Sequence, residues 1–156
     1  MNAMTIIPFE EQYTQDFYEL NVEWLKAFFY VEPHDEEVLS QPKKYIMDPG
    51  GYIFFVKIHD EIVATVALIK MKENIFELSK MAVLPKLRGQ KIGQHLLQYC
   101  LDFSKENKFE KLILYSNRKL KNALYIYEKY GFVEIPIEEN NPYDRGDIKM
   151  ELLLDC

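Results

Sequence analysis

The chain predicts an α/β (α+β) fold in which a mixed sheet carries helices on both faces. Two apolar, β-branched runs, 52–58 and 62–71, flank a polar His59-Asp60-Glu61, the pattern of a hairpin. Two other stretches, 11–29 and 90–105, repeat their apolar residues at helical spacing, as amphipathic helices do. Short apolar runs and a shorter helical segment then alternate to the end of the chain.

Taken in order, Thr5–Pro8 is a short first strand. Residues 11–29 place Tyr13, Phe17, Leu20, Trp24 and Phe28 on one helical stripe, which buries against a sheet. Pro33 breaks the chain, and 34–39 reads as a short helix with acids in its first turn, where the helix dipole favours them. Gly50-Gly51 ends that region, and the hairpin 52–71 follows. Ile75–Val83 is a strand leading into a proline-marked turn. Gln90–Lys105 puts Ile92, Leu96, Tyr99, Cys100 and Phe103 on one face. Leu112–Tyr115 is a buried strand. Asn122–Tyr130 is a helix stopped by Gly131, a residue suited to the left-handed position past a helix end. Phe132–Ile137 and Ile148–Leu153 close as strands around a polar loop containing Pro142 and Asp144-Arg145-Gly146. With no linker, repeat or low-complexity tract, residues 1–156 read as one domain.

The segment between the strand 75–83 and the next helix carries the chemistry. Arg88-Gly89-Gln90-Lys91-Ile92-Gly93 is a small basic loop that opens a helix. Free N–H groups and the positive end of the helix dipole then converge on one point, which binds phosphate. Gly89 and Gly93 let a ligand approach the backbone, and Arg88 and Lys91 add charge. A nucleoside-triphosphate loop would need a longer spacing ending in Lys-Ser or Lys-Thr, whereas Gln94 and His95 follow Gly93. The Gly-x-Gly-x-x-Gly of a dinucleotide fold is absent from the chain. A phosphate-bearing ligand of another kind remains, beside a plain tight turn.

A second segment, Ala123-Leu-Tyr-Ile-Tyr127-Glu-Lys-Tyr-Gly131-Phe132, lies downstream. Together the two resemble the GNAT superfamily of acyl-CoA-dependent N-acyltransferases. Its pyrophosphate loop reads Arg/Gln-x-x-Gly-x-Gly/Ala, matched by Arg88 and Gly93, and its later helix reads Ala-x-x-x-Tyr-Glu-Lys-x-Gly-Phe, matched from Ala123 to Phe132. One position departs: the middle glycine of the loop is Lys91 here, whose Cβ restricts a backbone that glycine leaves free. The likeness spans roughly residues 51–153 and implies a mostly antiparallel central sheet. It also implies acetyl-CoA as co-substrate, no metal, and direct attack of a primary amine in a ternary complex.

The resemblance assigns roles residue by residue. Tyr127, four positions before Gly131, matches the family's tyrosine that protonates the coenzyme A sulfur, and a phenol is a competent donor to a thiolate. Glu77 sits in the strand where members often carry a base. An alkyl amine of pKa about 10.4 is neutral about once in 10³ at pH 7, a handicap of roughly 4–5 kcal/mol that a base relieves. A solvated charge on a strand face is the plain alternative for Glu77. Met81, Ala82 and Val83 correspond to a bulged strand whose backbone binds the acyl carbonyl and pantetheine; bulges occur beside active sites for such reasons. Arg88, Gly89, Gln90, Lys91, Ile92 and Gly93 would hold the pyrophosphate. Asn117 is a candidate for the pantetheine or adenylate end, or a turn residue; Asn122 is a similar candidate, or a helix cap.

Composition narrows the partners. A net charge of −6, with 48% hydrophobic and 28% charged residues, suits a soluble globular protein and argues against nucleic acid. The chain shows no signal-like segment and no run of eighteen apolar residues, so a cytoplasmic protein without a membrane partner is expected. Cys100 and Cys156 offer no disulfide framework, and His34, His59 and His95 no metal spacing. A monomer or homodimer is expected. For the acceptor, Phe28, Phe29, Tyr30, Glu32, His34 and Asp35 on one side and 140–145 on the other suggest a small amine with an apolar body, held by cation attraction; a protein or peptide amine is the other possibility. A non-catalytic acyl-CoA-binding module, or an interaction domain with a degenerate site, would need neither Glu77 nor Tyr127.

Overall fold

The computed structural model describes residues 4–154; Cys156 lies outside the described residues. Seven strands form one sheet: β1 (Met4–Pro8), β2 (Tyr52–Ile58), β3 (Glu61–Lys72), β4 (Ile75–Val83), β5 (Lys111–Ser116), β6 (Val133–Ile135) and β7 (Ile148–Leu153). Their order across the sheet is β1-β2-β3-β4-β5-β7-β6. Every neighbouring pair is antiparallel except β4 and β5. Four α-helices flank the sheet: α1 (Thr14–Phe28), α2 (Pro33–Ser40), α3 (Ile92–Glu106) and α4 (Lys121–Lys129).

The strand period of two divides the core between the faces. Phe54 and Val56 pack with Leu96, Leu97 and Cys100 of α3 on one side. Their neighbours Ile53 and Phe55 pack with Phe17, Leu20 and Leu25 of α1 and Leu39 of α2 on the other. Both faces of the sheet are thus covered by helices. The α1 stripe is rotated from the expected one: Asn21 and Leu25 are buried, while Phe28 is 38% exposed. The turn between β2 and β3 has positive φ at His59 and Asp60, the two-residue conformation that matches strand twist. A one-turn π-helical stretch, Lys43–Met47, occupies a segment for which no element was expected. The strand expected over 132–137 is shortened to Val133–Ile135.

Two irregularities prepare the site. Between β3 and β4 the register slips, so that Ser79 faces Ala67 while Ala82 faces Thr65. β4 therefore carries one residue more than β3 over that interval, a bulge, and Lys80 within it takes φ +56°. Beside it, β4 pairs with β5 only from Ile75 to Glu77. Beyond Glu77 the two strands part, leaving that edge of β4 outside the ladder and a wedge open in the sheet.

Among the described residues no helix is long and apolar enough to cross a membrane, and no group of three or more His, Cys, Asp or Glu could hold a metal ion.

Candidate active site

The wedge between β4 and β5 is a cavity, and a groove adjoins it. The cavity is walled by Leu78–Met81 of β4, by Tyr115, Ser116 and Asn117, and by Trp24 and Phe29. The groove runs along Arg88, Gly89, Lys91, Ile92 and Gly93 and the face of α4 bearing Asn122 and Ile126. Met81, Ala123 and Tyr127 line both. The bulge and the tyrosine therefore stand where the two spaces meet.

The groove has the attributes of an anion cradle. Lys91 caps α3 in the left-handed conformation, φ +66° and ψ 14°, with no side-chain cap. It occupies backbone space that a glycine would fill without strain. The first intrahelical bond runs from the His95 N–H to the Lys91 carbonyl at 3.1 Å, so the N–H groups of Ile92, Gly93 and Gln94 lack helical partners. The first turn carries no acid. Gly89 has φ +83°, and a Cβ there would meet open space. Arg88 pairs with Glu23 of α1 and lies over the Phe28 ring, 5.3 Å from its centroid, while its Nε is buried without a partner. An orphaned guanidinium N–H beside unpaired helix N–H groups fits a pyrophosphate. Gln90 does not line the groove; its side chain is exposed, with Nε2 3.5 Å from the Lys86 carbonyl. Ala82 faces the α1 core, whereas Met81 and Val83 face the groove, as strand alternation requires.

Tyr127 packs edge-on against Phe132, with centroids 5.8 Å apart. Burial pushes its pKa up, so the phenol keeps its proton at neutral pH.

Glu77 is 7% exposed rather than solvated. The Tyr143 hydroxyl donates to its Oε2 at 2.6 Å. Burial pushes the Glu77 carboxyl up, against the Tyr143 hydrogen bond and the Lys80 charge. Burial and the Glu77 charge likewise hold Tyr143 well above the usual phenol range. Ser79 Oγ lies 3.3 Å from the same hydroxyl. Glu77 is thus set behind Tyr143, and Tyr143 is the member of the pair that lines the cavity.

Tyr143 is held by a buried ionic network that sequence reasoning did not assemble. Arg145 donates from Nη1 to Glu32 Oε2 and Asp35 Oδ2, both at 2.8 Å, and from Nη2 to Asp35 Oδ1 at 3.1 Å. The Asp144 N–H reaches Glu32 Oε1 at 3.2 Å and the Glu32 N–H reaches Asp35 Oδ2 at 3.0 Å. Burial would raise the Asp35 pKa, but Arg145, the Glu32 N–H and Lys80 hold it low. The Lys80 side chain is 5% exposed and its Nζ lies 3.7 Å from Asp35 Oδ1. Sequence places Glu32, Asp35 and the 140–145 loop only as neighbours of an acceptor, because no motif spacing joins Glu32 to Arg145.

The other sequence candidates separate cleanly. Phe29 lines the cavity, with Lys119 Nζ 4.0 Å from its ring centroid. Phe28 sits under Arg88 instead. Tyr30 is 55% exposed and His34 is exposed, and neither lines the cavity. Asn117 does border it, but as a turn residue: its Nδ2 donates to the Arg145 carbonyl at 2.7 Å and its Oδ1 accepts from the Lys119 N–H at 2.9 Å. Asn122 lies inside α4, whose cap is Leu120. Cys100 is buried, which pushes its thiol up to about 12.

The model of the Acetyltransferase (GNAT) family matches residues 14–132. An uncharacterized N-acetyltransferase of Escherichia coli strain K12 is 26% identical over 113 residues, covering 70% of this chain and 65% of that protein. The chain spans less than two thirds of the length of the curated relatives it matches. Among solved structures, an acetyltransferase of the GNAT family from Staphylococcus aureus Mu50 superposes with a TM-score of 0.86 at 25% identity, over 98% of this chain and all of that one. A Vibrio cholerae spermidine N-acetyltransferase, solved with CoA and spermine, superposes at TM-score 0.74 and 22% identity, over 97% and 95% of the two chains.

Proposed function

The chain belongs to the GNAT acetyltransferase family, and from that premise we propose that it transfers an acetyl group from acetyl-CoA to a primary amine by direct attack in a ternary complex. The observation that carries this reading is the junction: Met81 and Tyr127 border both the groove and the cavity, so a donor in one meets an acceptor in the other at the bulge.

Acetyl-CoA supplies the thioester whose carbonyl carbon is attacked. The pyrophosphate is bound by Arg88 and the N–H groups at the start of α3, with Lys91 adding charge at its mouth. The free edge of β4 beyond Glu77 offers main-chain donors to the acyl oxygen, and fixed N–H groups stabilise an oxyanion efficiently. As the C–N bond forms and the C–S bond breaks, the amine gives a proton to the Tyr143 oxygen while Tyr143 passes its own to Glu77. A carboxyl raised by burial is a better base at neutral pH than an ordinary one. The departing thiolate takes the Tyr127 proton.

Isothermal titration with acetyl-CoA tests the donor half. Wild-type protein should bind in the micromolar range, and an Arg88→Ala, Lys91→Ala double variant should bind tenfold or more weakly. Absence of wild-type binding would refute the reading. With binding established, thiol release across an amine panel tests the transfer. A non-catalytic acyl-CoA binder would bind normally and release no thiol with any amine.

A further inference from the structure

We infer that the acceptor amine carries a carboxylate close to its amino group, and that Lys80 is the residue that binds it. The inference rests on the acetyl-transfer reading above and specifies its acceptor.

The cavity inverts the charge of the chain. The protein carries a net −6, yet the cavity wall carries the basic side chains of Lys80 and Arg145, and no Asp or Glu lines it among the described residues. The two acids expected to attract a cationic substrate are already used. All four carboxylate oxygens of Glu32 and Asp35 accept hydrogen bonds from Arg145, the Asp144 N–H or the Glu32 N–H. Glu77 is covered by Tyr143. A polyamine entering this space would meet two cations and no available carboxylate.

Lys80 is the opposite case, a buried cation with donors to spare. Its Nζ donates one long hydrogen bond, 3.5 Å, to the Tyr143 hydroxyl and lies 4.7 Å from that ring's centroid, with Asp35 Oδ1 at 3.7 Å; an ammonium carries three N–H donors, so two are left for a ligand. Its left-handed backbone within the bulge keeps it next to Met81, at the junction with the groove. Burying an underbonded charge is costly, and a ligand carboxylate would supply the missing acceptor. Trp24, Phe29 and Tyr115 line the same space and suit an apolar side chain on that ligand. An amino acid with an apolar or aromatic side chain has this layout. A cation near the amine also favours its neutral, nucleophilic form.

Trp24 is the one tryptophan of the chain and lines the cavity, so its fluorescence reports occupancy without turnover. The probes are N-acetylated products that carry no titrating amine: N-acetylphenylalanine, N-acetylleucine and N-acetylalanine, each against its uncharged amide, with CoA saturating. At least one acid should bind tenfold or more tightly than its amide. In Lys80→Met that ratio should fall to within twofold, and in Lys80→Arg it should persist. Equal binding of acid and amide in the wild type, no binding of any probe, or an unchanged ratio in Lys80→Met would overturn the inference. CoA titrated alone in the same samples separates the two readings. If CoA fails to bind, the acetyl-transfer reading falls as well; if CoA binds and acids are not preferred, only the carboxylate acceptor falls.

Discussion

The Tyr143 hydroxyl and the Glu77 carboxylate meet at 2.6 Å across 66 positions of sequence, and burial holds the carboxyl above its usual range. Glu77 accepts a proton only when ionised, so kcat/KM should rise with pH through a limb above ordinary carboxylate values. Glu77→Gln should abolish that limb and lower kcat by about 10²-fold or more. Tyr143→Phe should lower kcat while the limb remains, moved toward higher pH because the ring still buries the carboxylate but no longer donates the hydrogen bond that holds its pKa down. Unaltered pH profiles in both variants would assign the pair a structural role.

A variant at Tyr127 is expected to separate catalysis from binding. Tyr127→Phe keeps the edge contact with Phe132 but removes the proton meant for the thiolate. A drop in kcat of about 10²-fold with acetyl-CoA affinity changed little is expected, measured by thiol release beside titration calorimetry. Unchanged kcat would leave Tyr127 as a packing residue.

If Arg88 binds the donor's phosphate as proposed, it exchanges Glu23 for it. A partly exposed ion pair is worth about 0.2–1 kcal/mol, so Glu23→Gln should tighten acetyl-CoA binding by up to about fivefold. Weaker binding in that variant would mean that Glu23 orients Arg88 for the donor rather than competing with it.

Lys91 stands at φ +66°, a conformation costing a side chain about 1–2 kcal/mol. Lys91→Gly removes that strain but adds about 0.5–1 kcal/mol of unfolded-state entropy. A net gain of about 0.5–1 kcal/mol is expected, read as a small rise in Tm, with weaker acetyl-CoA binding because the charge is lost. A falling Tm would show that the Lys91 side chain makes contacts that outweigh the strain.

Asp35 holds Arg145 and lies near Lys80. Asp35→Asn should destabilise by about 3–5 kcal/mol, because it leaves buried cations short of a partner. The native pKa is held below the ordinary aspartate value of 3.8, so the wild-type contribution is present above that value and lost as pH falls through the native pKa. Urea unfolding between pH 7 and pH 3 should therefore narrow the gap between variant and wild type toward acid. A gap independent of pH would contradict the assignment.

Periodicity and punctuation made most of the framework legible. Strand β4 begins and ends where its apolar run does, α3 and α4 differ from expectation only at their termini, and Gly131 stops α4 with φ +103°. Those features depend on neighbours a few residues apart, which the chain displays directly. The basic loop that opens α3 was readable for the same reason. Tyr143 was not, because its value comes from Glu77, Ser79 and Lys80 on a distant strand, and no local pattern marks a tyrosine in a polar loop. The roles of Glu32 and Asp35 were misjudged likewise: composition shows two acids near a cleft, but only packing shows that Arg145 occupies them. Sequence alone thus determined the elements, the basic loop at the start of α3 and the family. Tertiary structure decided which charges face the cavity, since hydrogen-bond partnership across the chain depends on three-dimensional proximity and not on spacing.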